Sequence, residues 1–286
     1  MQIRTKLPAN EGAYSSSNPV ICVPLVVRTS DFFVSDAHLG APDAASSRLR
    51  ELQLVAWLRT VGPHARSLYL VGDLFDFWFE YRHAVPKGYV RLLGALAELA
   101  DQGVEIHLFR GNHDLWYGDY LTQEVGLQLH TERVRYAEFH GLRVAVGHGD
   151  GLGPGDTGYK FLRRIFTFPL FVTLFRWIHP DAGIGLAGWL SRGSRARTGH
   201  KDAHYGGHEQ EALWRWAHEA QAQSPVDLYV FGHRHLPLDL EVPQGARYIN
   251  LGDWISSFTY LEINPDGAFL KHWKASEHST QQNPHP

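Results

Sequence analysis

Metal-ligating side chains recur at five places along the chain, each directly after a short apolar run. The runs and the clusters that end them read DFFVSDAHLG (31–40), SLYLVGDLFDF (67–77), VEIHLFRGNHD (104–114), LRVAVGHGD (142–150) and DLYVFGHRH (227–235). The candidate ligands are Asp36, His38, Asp73, Asn112, His148, His233 and His235. Carboxylate, imidazole and amide oxygen together form a ligand set for manganese, iron or zinc, whereas structural zinc sites rely mainly on cysteine. These residues therefore indicate metal-assisted chemistry.

The spacing within two clusters predicts which ligands lie side by side. In a strand, the side chains of residues i and i+2 point to the same face. Asp36 is therefore expected beside His38, and His233 beside His235. Two metal ions a few ångströms apart need a bridging ligand. Asp73 is the candidate bridge because it stands alone after a predicted central strand.

The elements that must position these residues follow from the hydrophobic pattern. Short continuous apolar runs are typical of strands buried on both faces. Helical patterns lie between them at 46–61, 88–103 and 209–223, with Gly103 at an expected helix end. This alternation favours an α/β fold whose polar clusters gather at the carboxyl edge of a sheet. The stretch 246–275, with a hairpin-like NPDG, is expected to complete a second sheet.

Residues 151–205 differ from the rest because they are rich in aromatic and basic side chains. Pro169 and Pro180 divide this stretch into helical pieces. We interpret it as a helical cap inserted over the carboxyl edge. The predicted domain spans 29–275. An N-terminal extension, 1–28, precedes it, and a loose C-terminal tail, 276–286, follows it.

Composition and charge exclude several classes of protein. The net charge of -3 argues against a protein held to nucleic acid by bulk charge. The one cysteine, Cys22, excludes an intrachain disulfide and gives secretion no support. No run of 18 or more apolar residues predicts a membrane span. The short apolar stretch 19–26 contains Pro24 and lacks the features of a signal peptide.

The ordered motifs SDAHLG, GDLFD, GNHD, GHGD and GHRH resemble those of the calcineurin-like metallophosphoesterases over roughly residues 31–260. The resemblance implies a two-sheet α/β sandwich flanked by helices, with the inserted cap. It also implies two divalent metal ions. One ion would be held by Asp36, His38, Asp73 and His235. The other would be held by Asp73, Asn112, His148 and His233.

The same resemblance implies a reaction. Two divalent ions polarise a phosphoryl group, lower the pKa of a bridging water and screen the charge of an in-line transition state. His113 would face the phosphate, where an imidazolium stabilises phosphoryl oxygens or protonates the leaving group. Asp114 would be its orienting partner. We expect Mn2+ as the metal, with Fe or Zn as the alternatives.

Within the family, the chain is most similar to the UDP-2,3-diacylglucosamine pyrophosphatases of lipid A synthesis. The run LFDFWFE after Asp73 and the segment GHGDGLGPGDTGYK carry this likeness. The resemblance implies hydrolysis to UMP and 2,3-diacylglucosamine 1-phosphate, in the cytoplasm at the inner membrane surface. Where this branch usually has arginine after the asparagine, this chain has His113. The implied substrate contacts are Asn112, His113, Asp156, Lys160, Ser194, Arg197, Thr198 and Lys201.

The cap independently favours an amphiphilic substrate. Apolar side chains recur at helical spacing through 159–180, with Lys160 and several arginines beside them. Such a segment can lie on a membrane surface or line a chamber for acyl chains. The alternative is that the apolar stripe only packs the cap onto the body. For Arg197, a solvated basic face is the alternative to a phosphate contact.

Two other functions compete with this one. The first is a metallophosphohydrolase that acts on a soluble nucleotide or phosphodiester, for which an apolar cap would have no purpose. The second is a membrane-associated scaffold of the same fold without turnover, which would hold no metal.

Overall fold

Two mixed β-sheets form the body of the computed structural model, which describes residues 27–153, 157–188 and 205–274. The strands are β1 (Ser30–Val34), β2 (Ala65–Val71), β3 (Glu105–Phe109), β4 (Gln128–His130), β5 (Arg135–Phe139), β6 (Leu142–Gly147), β7 (Leu228–Phe231), β8 (Pro237–Val242), β9 (Ala246–Leu251), β10 (Thr259–Asn264) and β11 (Gly267–His272). The first sheet has the order β11-β10-β1-β2-β3-β4, and the second has the order β5-β6-β7-β9-β8. The predicted two-sheet architecture is confirmed.

Helices cover the outer faces of the sheets and form the cap. They are α1 (Ala44–Val61), α2 (Val90–Asp101), α3 (Tyr120–Glu124), α4 (Thr157–Phe166), α5 (Pro169–Phe175), α6 (residues 180–188) and α7 (Ala212–Gln223). The three predicted helices correspond to α1, α2 and α7 and are confirmed. Gly103 follows the end of α2 at φ +86, a left-handed conformation that suits glycine.

Alternation along the buried strands separates two layers of core. In β1, Phe32 packs edge-on against Trp57 of α1, with ring centroids 6.3 Å apart. The next residue, Phe33, points the other way and meets Phe139 of the second sheet at 5.3 Å. Because both faces of these strands are buried, their sequences read as continuous apolar runs. The layers fix the carboxyl ends of the central strands of both sheets close together.

One expectation about the late stretch is wrong. β9 does join the second sheet, but β10 and β11 pair with β1 and extend the first. The NPDG hairpin is confirmed, since Asn264 pairs with Gly267 across the turn. The strand pattern was read correctly, but alternation does not specify which sheet a hairpin joins.

The described part of the predicted cap is helical. It comprises α4, α5 and α6, and it lies in the connection between β6 and α7. Residues 154–156 and 189–204 of the expected cap, the N-terminal residues 1–26 and the residues after 274 lie outside the described part of the chain. Among the described residues, no helix has both the length and the apolar character needed to cross a membrane.

Candidate metal centre

The candidate ligands meet where strands of the two sheets end. Each follows the last residue of its strand by a few positions: Asp36 and His38 follow β1, Asp73 follows β2, Asn112 follows β3, His148 follows β6, and His233 and His235 follow β7. The first three strands lie side by side in one sheet, and the last two are neighbours in the other. The site therefore lies where the two sheets meet, at the carboxyl ends of strands, where the sequence predicts that the polar clusters gather.

The backbone at this junction is unusual. Five of the candidate ligands are non-glycine residues with positive φ: Asp36 (56°), His38 (41°), Asp73 (51°), His233 (69°) and His235 (20°). Such conformations cost about 1 to 3 kcal/mol each and cluster at functional sites. The argument that i and i+2 share one face of a strand is therefore wrong: Asp36 does lie beside His38, but His235 joins their group whereas His233 lies against His148. The paired ligands lie beyond the strands, and turns in the left-handed region direct their side chains.

Glycines beside the ligands leave room that no other residue would. A Cβ on Gly111 would overlap the Asp73 carboxylate, and one on Gly232 would overlap the Ser35 hydroxyl. The glycines of GNHD and GHRH therefore allow neighbouring loops to approach the ligands closely.

The first group of ligands surrounds His38. Its Nε2 lies 3.1 Å from Nε2 of His235 and 3.6 Å from Oδ1 of Asp36. The same Asp36 oxygen lies 3.2 Å from Nε2 of His235. Ligand atoms of these three residues all lie within 4.8 Å of one another, as a single metal ion would require.

The second group surrounds His148. Its Nε2 lies 3.3 Å from Oδ2 of Asp73 and 3.2 Å from Oδ1 of Asn112. The ring of His233 lies edge-on to it, with centroids 5.2 Å apart. Oδ2 of Asp73 also lies 3.6 Å from Nε2 of His38, so this oxygen stands between the groups. That is the place expected of a bridging ligand.

The electrostatics of the cluster fit a bound cation. Burial opposes ionisation of Asp36, yet the neighbouring imidazoles of His235 and His38 hold its pKa well below its usual range. Burial likewise disfavours the charged form of His38, but Asp36, Asp76 and Asp73 raise its pKa to about 10. Among the described residues, Oδ1 of Asp36 and Nδ1 of His38 are buried without a hydrogen-bond partner. Buried carboxylates this close together need compensating positive charge, which divalent ions supply.

Neighbouring groups orient the ligands. Nδ1 of His148 bonds to the Val71 carbonyl at 2.9 Å, which directs Nε2 toward Asp73 and Asn112. Oδ2 of Asp36 accepts the backbone N–H of His233 at 2.9 Å. Nδ1 of His235 lies 3.8 Å from Oδ2 of Asp253. The residues present therefore fit the two-ion site that the motifs imply.

His113 has a different acidic neighbour from the one expected. Its Nδ1 lies 3.5 Å from Oδ1 of Asp76, whose same oxygen lies 3.6 Å from Nδ1 of His38. Asp76 was not among the candidate residues. Its signal in the sequence is the second carboxylate of GDLFD, three positions after Asp73.

Asp114 instead holds the loops together. Its carboxylate accepts backbone N–H bonds from Gly111 (2.8 Å), Asp73 (3.2 Å) and Phe75 (3.2 Å), together with the hydroxyl of Tyr117. Burial, with the Asp73 charge nearby, raises the pKa of Asp114 to about 6. The expectation that Asp114 orients the His113 ring is therefore corrected: Asp114 fixes the backbone that carries both ligand loops.

An apolar chamber of about 490 Å3 opens beside the metal centre. Asp76, Asn112 and His113 line its polar end. The remaining walls are largely apolar and come from the cap and from the loop after β3: Leu115, Trp116, Leu162, Phe166, Phe171, Leu174, Phe175, Ile178 and Leu186. The cap stripe therefore lines this chamber and also packs against the body, since Phe175 is buried in a cluster with Phe77 and Phe79.

The cap is anchored close to the metal centre. Asp150, two residues after His148, accepts the hydroxyl of Tyr159 at 2.6 Å and pairs with Nε of Arg163 at 3.1 Å. Lys160, an expected substrate contact, donates to the Gly153 carbonyl at 2.8 Å. The other expected contacts in the cap, Asp156, Ser194, Arg197, Thr198 and Lys201, lie outside the described residues.

Comparisons with known proteins agree with this geometry. The profile of the calcineurin-like phosphoesterases matches residues 32–237. A UDP-2,3-diacylglucosamine hydrolase of Porphyromonas gingivalis is 41% identical over 247 residues, covering 82% of this chain and 94% of its own. Proteins of the same name are 32% identical in Ectopseudomonas mendocina, covering 82% and 94%, and 27% identical in Yersinia pseudotuberculosis, covering 84% and 98%. The chain belongs to the calcineurin-like phosphoesterases, a family of metal-dependent phosphohydrolases.

Proposed function

We propose that this chain hydrolyses the pyrophosphate bond of UDP-2,3-diacylglucosamine, giving UMP and 2,3-diacylglucosamine 1-phosphate. The observation that carries the proposal is the apolar chamber that opens onto the candidate metal centre at Asp76, Asn112 and His113. A soluble nucleotide would leave those apolar walls exposed to water, whereas acyl chains would cover them. The names of the relatives support the same substrate.

The proposed metal ligands divide as the motifs imply. Asp36, His38 and His235 would hold one ion, and Asn112, His148 and His233 the other, with Asp73 bridging. Mn2+ is the proposed metal, since it suits the carboxylate and amide oxygens among these ligands. Two bound divalent ions supply a polarised phosphoryl group and a water of lowered pKa.

Residues of the chain itself supply the remaining steps. Asn112 and His113 lie where the chamber meets the metal centre, so they would contact the phosphoryl oxygens of a substrate whose acyl chains fill the chamber. The Asp76 carboxylate, 3.5 Å from Nδ1 of His113, would orient the ring toward the substrate. The walls from α4, α5 and α6 would exclude bulk water around the reacting bond.

We further propose that the cap rests on the cytoplasmic surface of the inner membrane. Phe161, Phe168 and Trp177 expose 67%, 58% and 86% of their surface, and Arg164 and Arg176 are exposed beside them in the sequence. Aromatic and basic side chains together favour an anionic lipid interface. An enzyme docked in this way would receive a lipid substrate without its passage through water.

The chamber is tested by Leu174→Asp, because a charge at this position would face acyl chains. We expect the ratio of kcat/KM for UDP-2,3-diacylglucosamine to that for bis-p-nitrophenyl phosphate to fall about tenfold or more. The matched control is Leu170→Asp, since Leu170 lies in the same helix, is equally exposed at 59%, and does not line the chamber. An unchanged ratio in Leu174→Asp, or wild-type activity confined to soluble esters, would contradict the proposal.

The bridge is tested by Asp73→Ala. We expect loss of turnover and of at least one of two metal ions per chain, measured by elemental analysis, because the oxygen shared by both groups is removed. The fold should persist by circular dichroism. Asp101→Ala, at the exposed end of α2, serves as the control and should keep both ions. Full activity in Asp73→Ala would refute the metal assignment, and a wild-type chain that binds no divalent metal would favour a scaffold.

The role of His113 is tested by substituting arginine, the residue that usually follows the asparagine in the pyrophosphatase branch that this chain resembles. Phosphate groups are weak bases near neutral pH, with a second pKa of about 6, so the leaving group needs little protonation. Positive charge is then the main contribution, and His113→Arg should keep kcat within about tenfold while His113→Ala loses about a hundredfold or more. Equal losses in both variants would instead assign proton transfer to His113.

Membrane docking is tested by Trp177→Ser in sedimentation with vesicles of phosphatidylglycerol and phosphatidylethanolamine. We expect a clear fall in the bound fraction, because an exposed aromatic anchor is removed. Tyr136→Ser is the control, since Tyr136 is a large exposed side chain on β5 of the body, at 52%. Equal binding of both variants would place the docking surface elsewhere.

A further inference from the structure

A second cavity, of about 620 Å3, adjoins the apolar chamber. It shares Asp76 and Phe77 with the apolar chamber. It also borders Leu39 and Gly40, which directly follow the candidate ligand His38. Its size lies within the range of about 300 to 1,000 Å3 that is typical of small-molecule sites.

Phe77 and α6 separate the two cavities. Ile184, Gly185 and Gly188 of α6 line the second cavity, whereas Leu186 and Ala187 line the apolar chamber. One helix thus contributes a wall to each. Both cavities border Asp76 beside the metal centre, so a molecule whose reacting bond lay there could place one half in each.

The chemistry of the second cavity differs from that of the chamber. Lys87 and Asp181 lie in its wall, and both side chains are exposed. Lys87 makes no ion pair or hydrogen bond with any residue in the described ranges. The loop from Ala84 to Lys87 lines the same wall. A cation and carboxylates suit a ligand with a phosphate, hydroxyl groups and a polar ring.

We propose that this second cavity binds the nucleoside monophosphate half of the substrate and retains it as the nucleotide product. The inference rests on the proposed function, because it assigns the half of the lipid-linked nucleotide that the apolar chamber cannot accommodate. Lys87 contributes positive charge toward the nucleotide phosphate. Asp181 offers an acceptor for ribose hydroxyls or the pyrimidine N–H. The reacting bond then lies between the two cavities.

Gly185 allows a direct test of this cavity. Gly185 lines the cavity, and a Cβ built on it would meet nothing within 4 Å, so a leucine can be introduced in this wall without a clash at its Cβ. Gly158→Leu is the matched control, because Gly158 also lies in a cap helix, has the same open space and lines neither cavity. Lys87→Ala provides a second variant at an exposed position, should Gly185→Leu fail to fold.

The measurement compares UMP with inorganic phosphate as inhibitors of bis-p-nitrophenyl phosphate hydrolysis by the Mn2+-loaded full chain. Inorganic phosphate can bind at the metal centre without filling the second cavity. The ratio of the two inhibitory concentrations therefore measures the additional binding that the second cavity provides. We expect wild type and Gly158→Leu to favour UMP by about tenfold or more. Gly185→Leu should reduce that preference to near unity, and Lys87→Ala should reduce it severalfold.

Two results would overturn the inference: a wild-type chain that does not prefer UMP over phosphate, or a full preference for UMP in both Gly185→Leu and Lys87→Ala. Hydrolysis of UDP-2,3-diacylglucosamine by the wild-type chain is measured separately. The absence of this hydrolysis would refute the proposed function, whereas the preference for UMP over phosphate tests only the assignment of the second cavity.

Discussion

The buried carboxylate of Asp73, held between the imidazoles of His38 and His148, is the interaction on which the site depends. A carboxylate taken out of water costs several kcal/mol unless it is paired. The pairing groups here come from the loops after β1 and β6, which belong to different sheets. The backbone N–H of His113, from the loop after β3, donates to the second oxygen of Asp73 at 2.8 Å. The Asp73 carboxylate therefore contacts three further loops and holds them together at the site.

The strained backbone lies at the same junction. Left-handed residues follow β1, β2 and β7, where they redirect the loops that carry Asp36, His38, Asp73, His233 and His235. Asp114 binds the backbone of the loops after β2 and β3 through three N–H groups. A charged centre, tight turns and a buried bracing carboxylate form one mutually dependent arrangement.

The residue types and their order along the chain were enough to predict the two-sheet fold and a metal centre at the carboxyl edge. They sufficed because each motif ends an apolar run, and parallel strands place their ends together. Three features could not be predicted from the sequence in this way. The conformation of Asp36 and His38 depends on turns rather than strand alternation, and the sheet that β10 and β11 join depends on tertiary pairing. The neighbour of His113 is Asp76, which the loop after β2 brings close in space.

The position of the cap has a consequence for how specificity can diversify. Every candidate metal ligand lies on loops of the two sheets, whereas much of the wall of both cavities comes from a single excursion between β6 and α7. The excursion is tied back through Asp150, close to His148. Under the proposed function, remodelling of this one segment would give the same hydrolytic centre a new substrate range. The metal centre and the proposed substrate walls thus occupy separable parts of the chain.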